Sequence, residues 1–217
     1  MGIIERKERE KEQRRQDIID AAEKVFFSKG VVESTMDHVA EEAELSKGTL
    51  YLYFQSKEEL YFAITKRGLD ILTDMFKKAA KKEKLGIDKI HAIGKAYYAF
   101  SKKYPDYFQA MIYFDSQTWD FDDTSPMALA CEQQGLITLG FCADALQQGI
   151  EDGSIRSDLD PLKVAVILWG QTSGILQLIY LQGKHIRQRH NTFRFKDLDD
   201  IVLSSFEFIR HSLEAKK

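Results

Sequence analysis

The chain has 217 residues, a formal net charge of −3, 44% hydrophobic residues and only three prolines. This length and apolar content suffice for a sizeable core, and no stretch alternates polar and apolar residues as a strand would, so an all-α fold is predicted. Residues 5–15 are charged, unlike a signal peptide, and the longest apolar stretches fall short of the roughly 20 residues that cross a bilayer. We therefore expect a cytoplasmic protein without a membrane segment.

The first predicted helix runs to about Lys29 and ends at Gly30, a residue type that often follows a helix C-terminus. Charges of both signs are interleaved over residues 5–16, before the apolar pattern of this helix begins. This segment is predicted to be a solvated helix extension or frayed tail. The alternative is an arm that reaches phosphate or a minor groove, and Arg14 and Arg15 fit either interpretation.

Residues 34–54 read as two short helices joined by a tight turn. Ser34 or Thr35 can cap the first helix and Ser46 the second. Leu50 and Phe54, four residues apart, are expected to anchor the second helix in the core. Its outward residues are then Lys47, Thr49, Leu52 and Tyr53, and Gly48 permits close approach of the backbone. A short capped helix with a cationic, hydroxyl-bearing face is typical of a helix-turn-helix reader.

The charge balance of this N-terminal part is not basic. Residues 1–57 hold ten Lys and Arg against twelve Asp and Glu, although residues 45–57 contain no acidic residue at all. Because salt screens distant charges, the local layout matters more than the sum. We expect few phosphate contacts per subunit and therefore reliance on a dimer.

Six longer helices are predicted to follow. Ser56 and Glu59 form a capping box that starts the fourth helix. The six run from there to about Lys84, over about 87–104, from Pro105 to about Phe114, over about 127–151, from Pro161 to about Lys184, and over about 197–213. The eighth helix is apolar nearly all round and must be covered on both sides. The ninth carries an apolar stripe of Leu198, Ile201, Val202, Phe206, Ile209 and Leu213. These two helices, about 161–184 and 197–213, are therefore the predicted homodimer interface.

A longer run of residues carries a family resemblance. It comprises Arg15, Ile18-Ile19, Ala21-Ala22, Val25-Phe26, Gly30, Thr35, Val39-Ala40, Ala43, Leu45-Ser46, Lys47-Gly48-Thr49-Leu50-Tyr51, Tyr53-Phe54 and Ser56-Lys57-Glu58-Glu59-Leu60. The run resembles the DNA-binding domain of the TetR (tetracycline-repressor-like) family of transcriptional regulators. The resemblance implies a helix-turn-helix domain over residues 1–56, a ligand-binding and dimerisation domain over residues 57–217, and about nine helices in all. It also implies DNA contacts by Thr35, Lys47, Gly48, Thr49, Tyr51, Tyr53 and Lys57.

The resemblance further implies an effector cavity among helices four to eight. The candidates are Tyr97, Phe100, Tyr107, Phe108, Met111, Phe141, Trp169 and Gln171. Aromatic residues at helical spacing also serve as ordinary core, so each has that second interpretation. The excess of aromatic residues favours a small hydrophobic effector, drug-like or fatty-acyl. Aspartates near Trp119 offer an alternative site for a cation.

Motifs of enzymes are absent from the sequence: it has no glycine-rich phosphate loop, no HExxH pair and no G-x-S-x-G elbow. We expect no enzymatic activity, no cofactor and no metal. The predicted function is a repressor that leaves double-stranded operator DNA when the effector binds, with activation or co-repression as variants. The alternative class is a helical ligand-binding or protein-interaction module that does not read DNA sequence.

Overall fold

The computed structural model describes residues 2–116, 125–189 and 198–215. Within these ranges the chain forms nine α-helices and one isolated antiparallel bridge, between Ile155 and Glu214. The helices are α1 (Ile3–Lys29), α2 (Met36–Glu42), α3 (Lys47–Tyr51), α4 (Lys57–Ala80), α5 (Gly86–Lys103), α6 (Pro105–Ser116), α7 (Pro126–Glu151), α8 (Pro161–Arg189) and α9 (Leu198–Leu213). The predicted all-α class with nine helices is thus confirmed for the described residues. The acidic loop around Trp119 lies outside them.

Three predicted boundaries differ from the observed ones. The charged segment 5–16 is helical, because α1 already begins at Ile3. Helix α4 ends at Ala80 rather than near Lys84. Beyond Ala80, the amides of Lys82 and Glu83 donate to the carbonyls three residues back, of Ala79 and Ala80, and not to those four residues back. Helix α8 continues to Arg189, and residues 185–189 contain neither glycine nor proline to stop it.

One compact unit comprises residues 1–67 and 117–132. Its core is built on α1, from which Ile18, Ala22 and Phe26 are almost fully buried. Val39 of α2, Leu50 of α3, Phe54, and Leu60 and Ile64 of α4 are buried with them. The predicted anchors of the second short helix are therefore core residues.

The first turns of α4 are also tied to α1 by a polar cluster. The Arg67 guanidinium donates hydrogen bonds to Asp20 at 2.7 Å, to Glu23 at 2.9 Å and to Gln16 at 2.7 Å. Arg67 is three-quarters buried, so the pairs are less screened than surface ion pairs. These hydrogen bonds hold the third turn of α4 against α1.

The second compact unit comprises residues 68–116 and 133–217. Phe76, Phe100, Phe108 and Leu146 are among its fully buried side chains. The start of α5 approaches α7 so closely that a Cβ on Gly86 would lie 2.1 Å from the backbone nitrogen of Gly149. Glycine at position 86 is what permits this contact, whereas a Cβ on Gly149 would meet the Ile155 side chain, at 2.4 Å.

Helix α9 corrects one prediction. Val202, Phe206, Ile209 and Leu213, four members of the stripe assigned to the dimer interface, are at most 8% exposed within the single chain. They face α5 and α8, against which α9 packs. Among the described side chains of α9, Leu203 and Phe208 are exposed apolar residues, the latter by 70%.

Helix α8 divides into two faces. Val164, Ala165, Thr172 and Leu176 are buried on one side. The other side exposes Leu162, Val166, Ile167 and Leu178, each by more than half. By length and composition alone, Pro161–Ile179 would also pass as a membrane span, with only 22% of that window buried. This apolar side of α8 is exposed among the residues that the structure describes, and such a surface is a candidate interaction surface.

Candidate nucleic-acid interface and ligand cavity

Side-chain caps start both short helices of the helix-turn-helix. The Thr35 hydroxyl accepts the His38 amide at 3.2 Å and begins α2, and the Ser46 hydroxyl accepts the Thr49 amide at 3.1 Å and begins α3. Ser34 is instead buried and donates to the Gly30 carbonyl at 2.6 Å. The turn between the helices passes through Glu44, whose φ of +54° lies in the left-handed region.

The outward side of α3 matches the predicted reader face in most positions. Lys47, Gly48 and Leu52 are exposed, and Thr49, Tyr51 and Tyr53 are half-buried. A Cβ on Gly48 would meet only the Ser46 hydroxyl, at 4.0 Å, so the backbone is open to a close partner at this point. Five of the seven residues predicted to touch DNA thus share this short helix and the residues that follow it, whereas Thr35 precedes α2 and Lys57 begins α4.

Lys47 is held by an acidic residue of α2. Its ammonium lies 2.7 Å from a carboxylate oxygen of Asp37, and both side chains are more than half exposed. The hydrogen bond from Lys47 to Asp37 raises the pKa of the lysine above its usual value. Lys47, the cation predicted to contact a base edge, is therefore already paired with Asp37. The negative charge of Asp37 would in turn be repelled by a DNA phosphate.

Lys57 has a structural role that the sequence did not reveal. Its ammonium donates to the carbonyls of Val31 at 2.9 Å, Ser34 at 3.1 Å and Val32 at 3.4 Å. An ammonium carries three donors, so these bonds use all of them. The predicted phosphate contact of Lys57 stays a prediction, and it would require this arrangement to open.

The capping box at the start of α4 is present in altered form. The Ser56 hydroxyl accepts the Glu59 amide at 3.2 Å, as predicted. The Glu59 carboxylate reaches past Ser56 and accepts the amide of Gln55 at 2.7 Å. Arg15, which the sequence left undecided, lies over the Phe54 ring at 4.8 Å and so packs on the helix-turn-helix core.

A cavity lies within the second unit, between α5, α8 and α9, with Phe76 of α4 and Cys142 of α7 in its wall. Its free volume is about 50 Å³, enough for a few water molecules at roughly 10–15 Å³ each. Pockets that hold drug-sized ligands measure roughly 300–1,000 Å³. A larger ligand therefore has to move the side chains or helices of the wall.

Two of the eight predicted pocket residues, Tyr97 and Trp169, line this cavity. Phe100, Phe108 and Met111 are core residues, Phe141 belongs to a separate groove, and Tyr107 packs against the backbone at Gly68. Gln171 is half-buried and outside the lining. The sequence prediction left out α9, which contributes Phe206, Ile209, Arg210 and Leu213.

Tyr97 and Trp169 form a stacked aromatic pair in the cavity wall. The rings of Tyr97 and Trp169 stack with centroids 5.4 Å apart and an interplanar angle of 16°. The Tyr97 hydroxyl shares a 2.9 Å hydrogen bond with Ser173, and burial raises the pKa of this tyrosine. Burial also raises the pKa of the Cys142 thiol to about 12, so the wall is uncharged here at neutral pH.

The N-terminal part of the chain matches a known protein family. Residues 18–64 match the family of bacterial regulatory proteins described as the tetR family. Residues 18–64 are a TetR-family domain. The match begins with the buried stripe of α1 and ends in α4, and it includes both capped helices, so the resemblance seen in the sequence is confirmed.

Among curated relatives, the transcriptional regulator YfiR of Bacillus subtilis (strain 168) is 45% identical over 60 residues, 28% of this chain and 29% of that protein. The transcriptional activator FasR of Mycolicibacterium smegmatis is 32% identical over 90 residues, 42% of this chain and 41% of FasR. The transcriptional repressor KstR2 of the same organism is 27% identical over 154 residues, 68% of this chain and 70% of KstR2. The chain thus aligns with less than half the length of YfiR and FasR.

Solved structures extend the likeness in fold to nearly the whole chain. FadR from Bacillus subtilis, in complex with stearoyl-CoA, matches with a TM-score of 0.71 at 18% sequence identity. The superposition covers 92% of this chain and 99% of the FadR chain. AibR, in complex with isovaleryl coenzyme A and operator DNA, matches with a TM-score of 0.63 at 18% sequence identity. The superposition covers 90% of this chain and 97% of the AibR chain. The chain therefore has the fold of these regulators.

The structural role of Lys57 predicts a stability effect. Lys57→Met keeps the length of the side chain but removes the three hydrogen bonds, so the free energy of unfolding should fall by roughly 1–3 kcal/mol. Urea denaturation followed by circular dichroism measures this. Lys24→Met removes an exposed lysine whose partner is the Glu42 carboxylate at 3.0 Å, and serves as the control with little effect. Equal stability of both variants would contradict the structural role.

Proposed function

We propose that this chain is a DNA-binding transcriptional regulator of the cytoplasm, without enzymatic activity, that works as a homodimer and leaves its operator when a small hydrophobic effector binds. The observation that carries the proposal is the TetR-family domain over residues 18–64, in which α3 is capped, short and exposed on one side. The relatives named above are transcriptional regulators, one a repressor and one an activator by name.

In the proposed complex α3 enters the major groove and α2 lies across the phosphates. Lys47 reads acceptor atoms of a guanine edge, and Gly48 lets the helix approach the base pairs. Thr49, Tyr51 and Tyr53 offer hydroxyl groups to phosphates and bases, and Thr35 lies at the exposed start of α2. Lys57 contributes by holding the helix-turn-helix together and reaches phosphate only if its carbonyl contacts open.

The dimer is proposed to form on the exposed apolar sides of α8 and α9. Leu162, Val166, Ile167 and Leu178 of α8, with Leu203 and Phe208 of α9, are the side chains that need a cover. A second subunit supplies one and places two copies of α3 at the roughly 34 Å spacing of successive major-groove faces. A membrane is the weaker explanation, since the other side of α8 belongs to the core of the second unit.

The cavity supports a ligand-driven release. Its apolar wall suits a hydrophobic effector, and two structures of the same fold are complexes with acyl-coenzyme A thioesters. Because the free volume is small, such a ligand binds only if the wall moves. Phe76 in that wall lies on α4, the same helix that begins at Lys57, so the fourth helix is proposed to carry the displacement towards the reader helices.

The alternative is a helical ligand-binding module that does not read DNA sequence. The acidic balance of residues 1–57 favoured it, whereas the family match over residues 18–64 and the open side of α3 favour a DNA reader.

A gel shift on the DNA upstream of the gene decides between them. Specific, salt-sensitive binding is expected for the wild-type protein. Lys47→Ala and Tyr53→Ala should each weaken it by about tenfold or more, since a base or phosphate contact contributes roughly 1–3 kcal/mol. Lys84→Ala, at an exposed lysine between α4 and α5, is the control that should bind like the wild type. Binding without sequence preference, or unchanged in the two α3 variants, would sink the proposal.

The ion pair of Lys47 predicts a gain of affinity. Asp37→Asn releases Lys47 for DNA and removes a negative charge from the phosphate side, so operator binding should tighten by about two- to fivefold, the range set by an exposed ion pair. Glu42→Gln, which removes the partner of Lys24 at 3.0 Å in the same unit, is the matched control. An equal gain in both variants would show that overall charge, and not Lys47, is responsible.

The apolar side of α9 predicts the oligomeric state. Phe208→Asp should yield monomers at concentrations at which the wild type is dimeric, because the carboxylate would be buried in an apolar interface. Sedimentation velocity measures this. Ile4→Asp, at a residue 74% exposed near the start of α1, should leave the dimer intact. An unchanged mass for Phe208→Asp would place the dimer elsewhere.

A further inference from the structure

The cavity wall is mostly apolar, with Phe76, Trp169 and Phe206 among its side chains. Its two basic side chains are His91 of α5 and Arg210 of α9. The His91 and Phe206 rings meet edge to face, with centroids 6.2 Å apart. A ligand whose chemistry matches this wall has an apolar body and one polar group.

Arg210 is placed to hold an acceptor. Its Nη1 donates to the Asp88 carboxylate at 2.8 Å, and both side chains are about one-third exposed, at 30% and 34%. A guanidinium carries five N–H donors and no acceptor. It can therefore bind a second oxygen group beside Asp88, and a charged acceptor makes the stronger hydrogen bond.

His91 adds an unsatisfied ring nitrogen. Its Nδ1 is buried and has no hydrogen-bond partner among the residues that the structure describes. Burial is the main cause that lowers the pKa of His91; Lys95 and Arg210 lower it further, and Glu207 and Asp88 oppose them. The ring is therefore neutral at pH 7, with one nitrogen as donor and one as acceptor. A buried polar atom without a partner is costly, and a ligand atom that reaches it removes that cost.

We propose that the cavity binds an amphipathic carboxylate, with the carboxylate on Arg210 and His91 and the apolar chain along Trp169 and Phe206. This rests on the proposed function, which places the effector in the same cavity. A cationic head group is disfavoured because it would face the Arg210 guanidinium. A neutral alcohol keeps the apolar contacts but loses the charge-assisted bond.

Asp88 sets the strength of this binding. It already occupies part of the Arg210 guanidinium and places a negative charge close to the incoming carboxylate. Neutralising Asp88 should therefore strengthen carboxylate binding, whereas removing Arg210 should weaken it. The two substitutions act in opposite directions, although both break the same contact between α5 and α9.

The binding test uses three probes with the same ten-carbon tail: decanoate, 1-decanol and decyltrimethylammonium. The chain has two tryptophans, so a Trp119→Phe background leaves Trp169, in the cavity wall, as the single reporter for a fluorescence titration. Decanoate should bind at least tenfold more tightly than decyltrimethylammonium, with 1-decanol between them. Equal affinities, or tightest binding of the cation, would overturn the proposal.

Variants in the same background locate the head group. Arg210→Met should weaken decanoate by about tenfold and change 1-decanol by less than twofold, and Asp88→Asn should tighten decanoate severalfold. Arg156→Met is the matched control, because Arg156 also pairs with an aspartate, Asp158 at 2.7 Å, but does not line the cavity. If Arg210→Met fails to fold, the gain in Asp88→Asn still decides. Weaker or unchanged decanoate binding in Asp88→Asn would refute the assigned role of Arg210.

These titrations contain no DNA, so they separate the ligand proposal from the regulatory one. A preference for decanoate with no effect of decanoate on the gel shift supports the site and counts against effector-driven release. Specific DNA binding with no preference for decanoate supports the regulator and refutes the carboxylate site.

Discussion

The N-terminal unit depends on one lysine whose ammonium group is bound by backbone carbonyls of the same chain. Lys57 opens α4 and donates to three carbonyls between α1 and the start of α2. Arg67, three turns later, ties the same helix to α1 through Asp20, Glu23 and Gln16. The first turns of α4 are thereby joined to α1 and to the segment between α1 and α2, and the helix continues to Ala80. In the proposed release mechanism, a displacement of α4 would act first on these contacts.

In the proposed complex, in which two subunits bind operator DNA at once, the charge of the reader surface sets how DNA is bound. Residues 45–57 contain two lysines, and one of them is occupied by backbone carbonyls while the other is paired with Asp37. A surface with so little free positive charge gains less from counterion release than a strongly basic one. Binding strength must then come from base contacts and from the use of two subunits at once. Because non-specific binding to DNA comes from phosphate contacts, it is expected to be weak for this surface.

Local sequence signals predicted the N-terminal unit well. The helical spacing of apolar residues, the caps at Thr35 and Ser46 and the C-terminal Gly30 all depend on neighbours within a few positions, and each is found as predicted. The contacts that were missed link distant positions. Lys57 finds its partners 23 to 26 residues away, and Asp37 reaches across the turn to Lys47. Nor did the sequence mark the left-handed φ of Glu44, since glycine is the usual signal there.

The cavity and α9 show a different limit. Periodicity tells which side of a helix is buried, but not whether its cover is the same chain or another one. The stripe of α9 was assigned to a partner and is covered by the chain itself. Likewise, the aromatic residues of α5 and α6 share one pattern, and only the packing divides them into cavity wall, such as Tyr97, and solid core, such as Phe108.

Helices α8 and α9 each have two apolar sides, one on the cavity and one exposed to the exterior. In a dimer built on the outer sides, ligand occupancy and subunit association become linked equilibria, and each must alter the other by the same factor. The effector concentration at half-response would then vary with the amount of regulator in the cell. A cell that makes more of this protein would thereby change its sensitivity to the effector without changing a single residue.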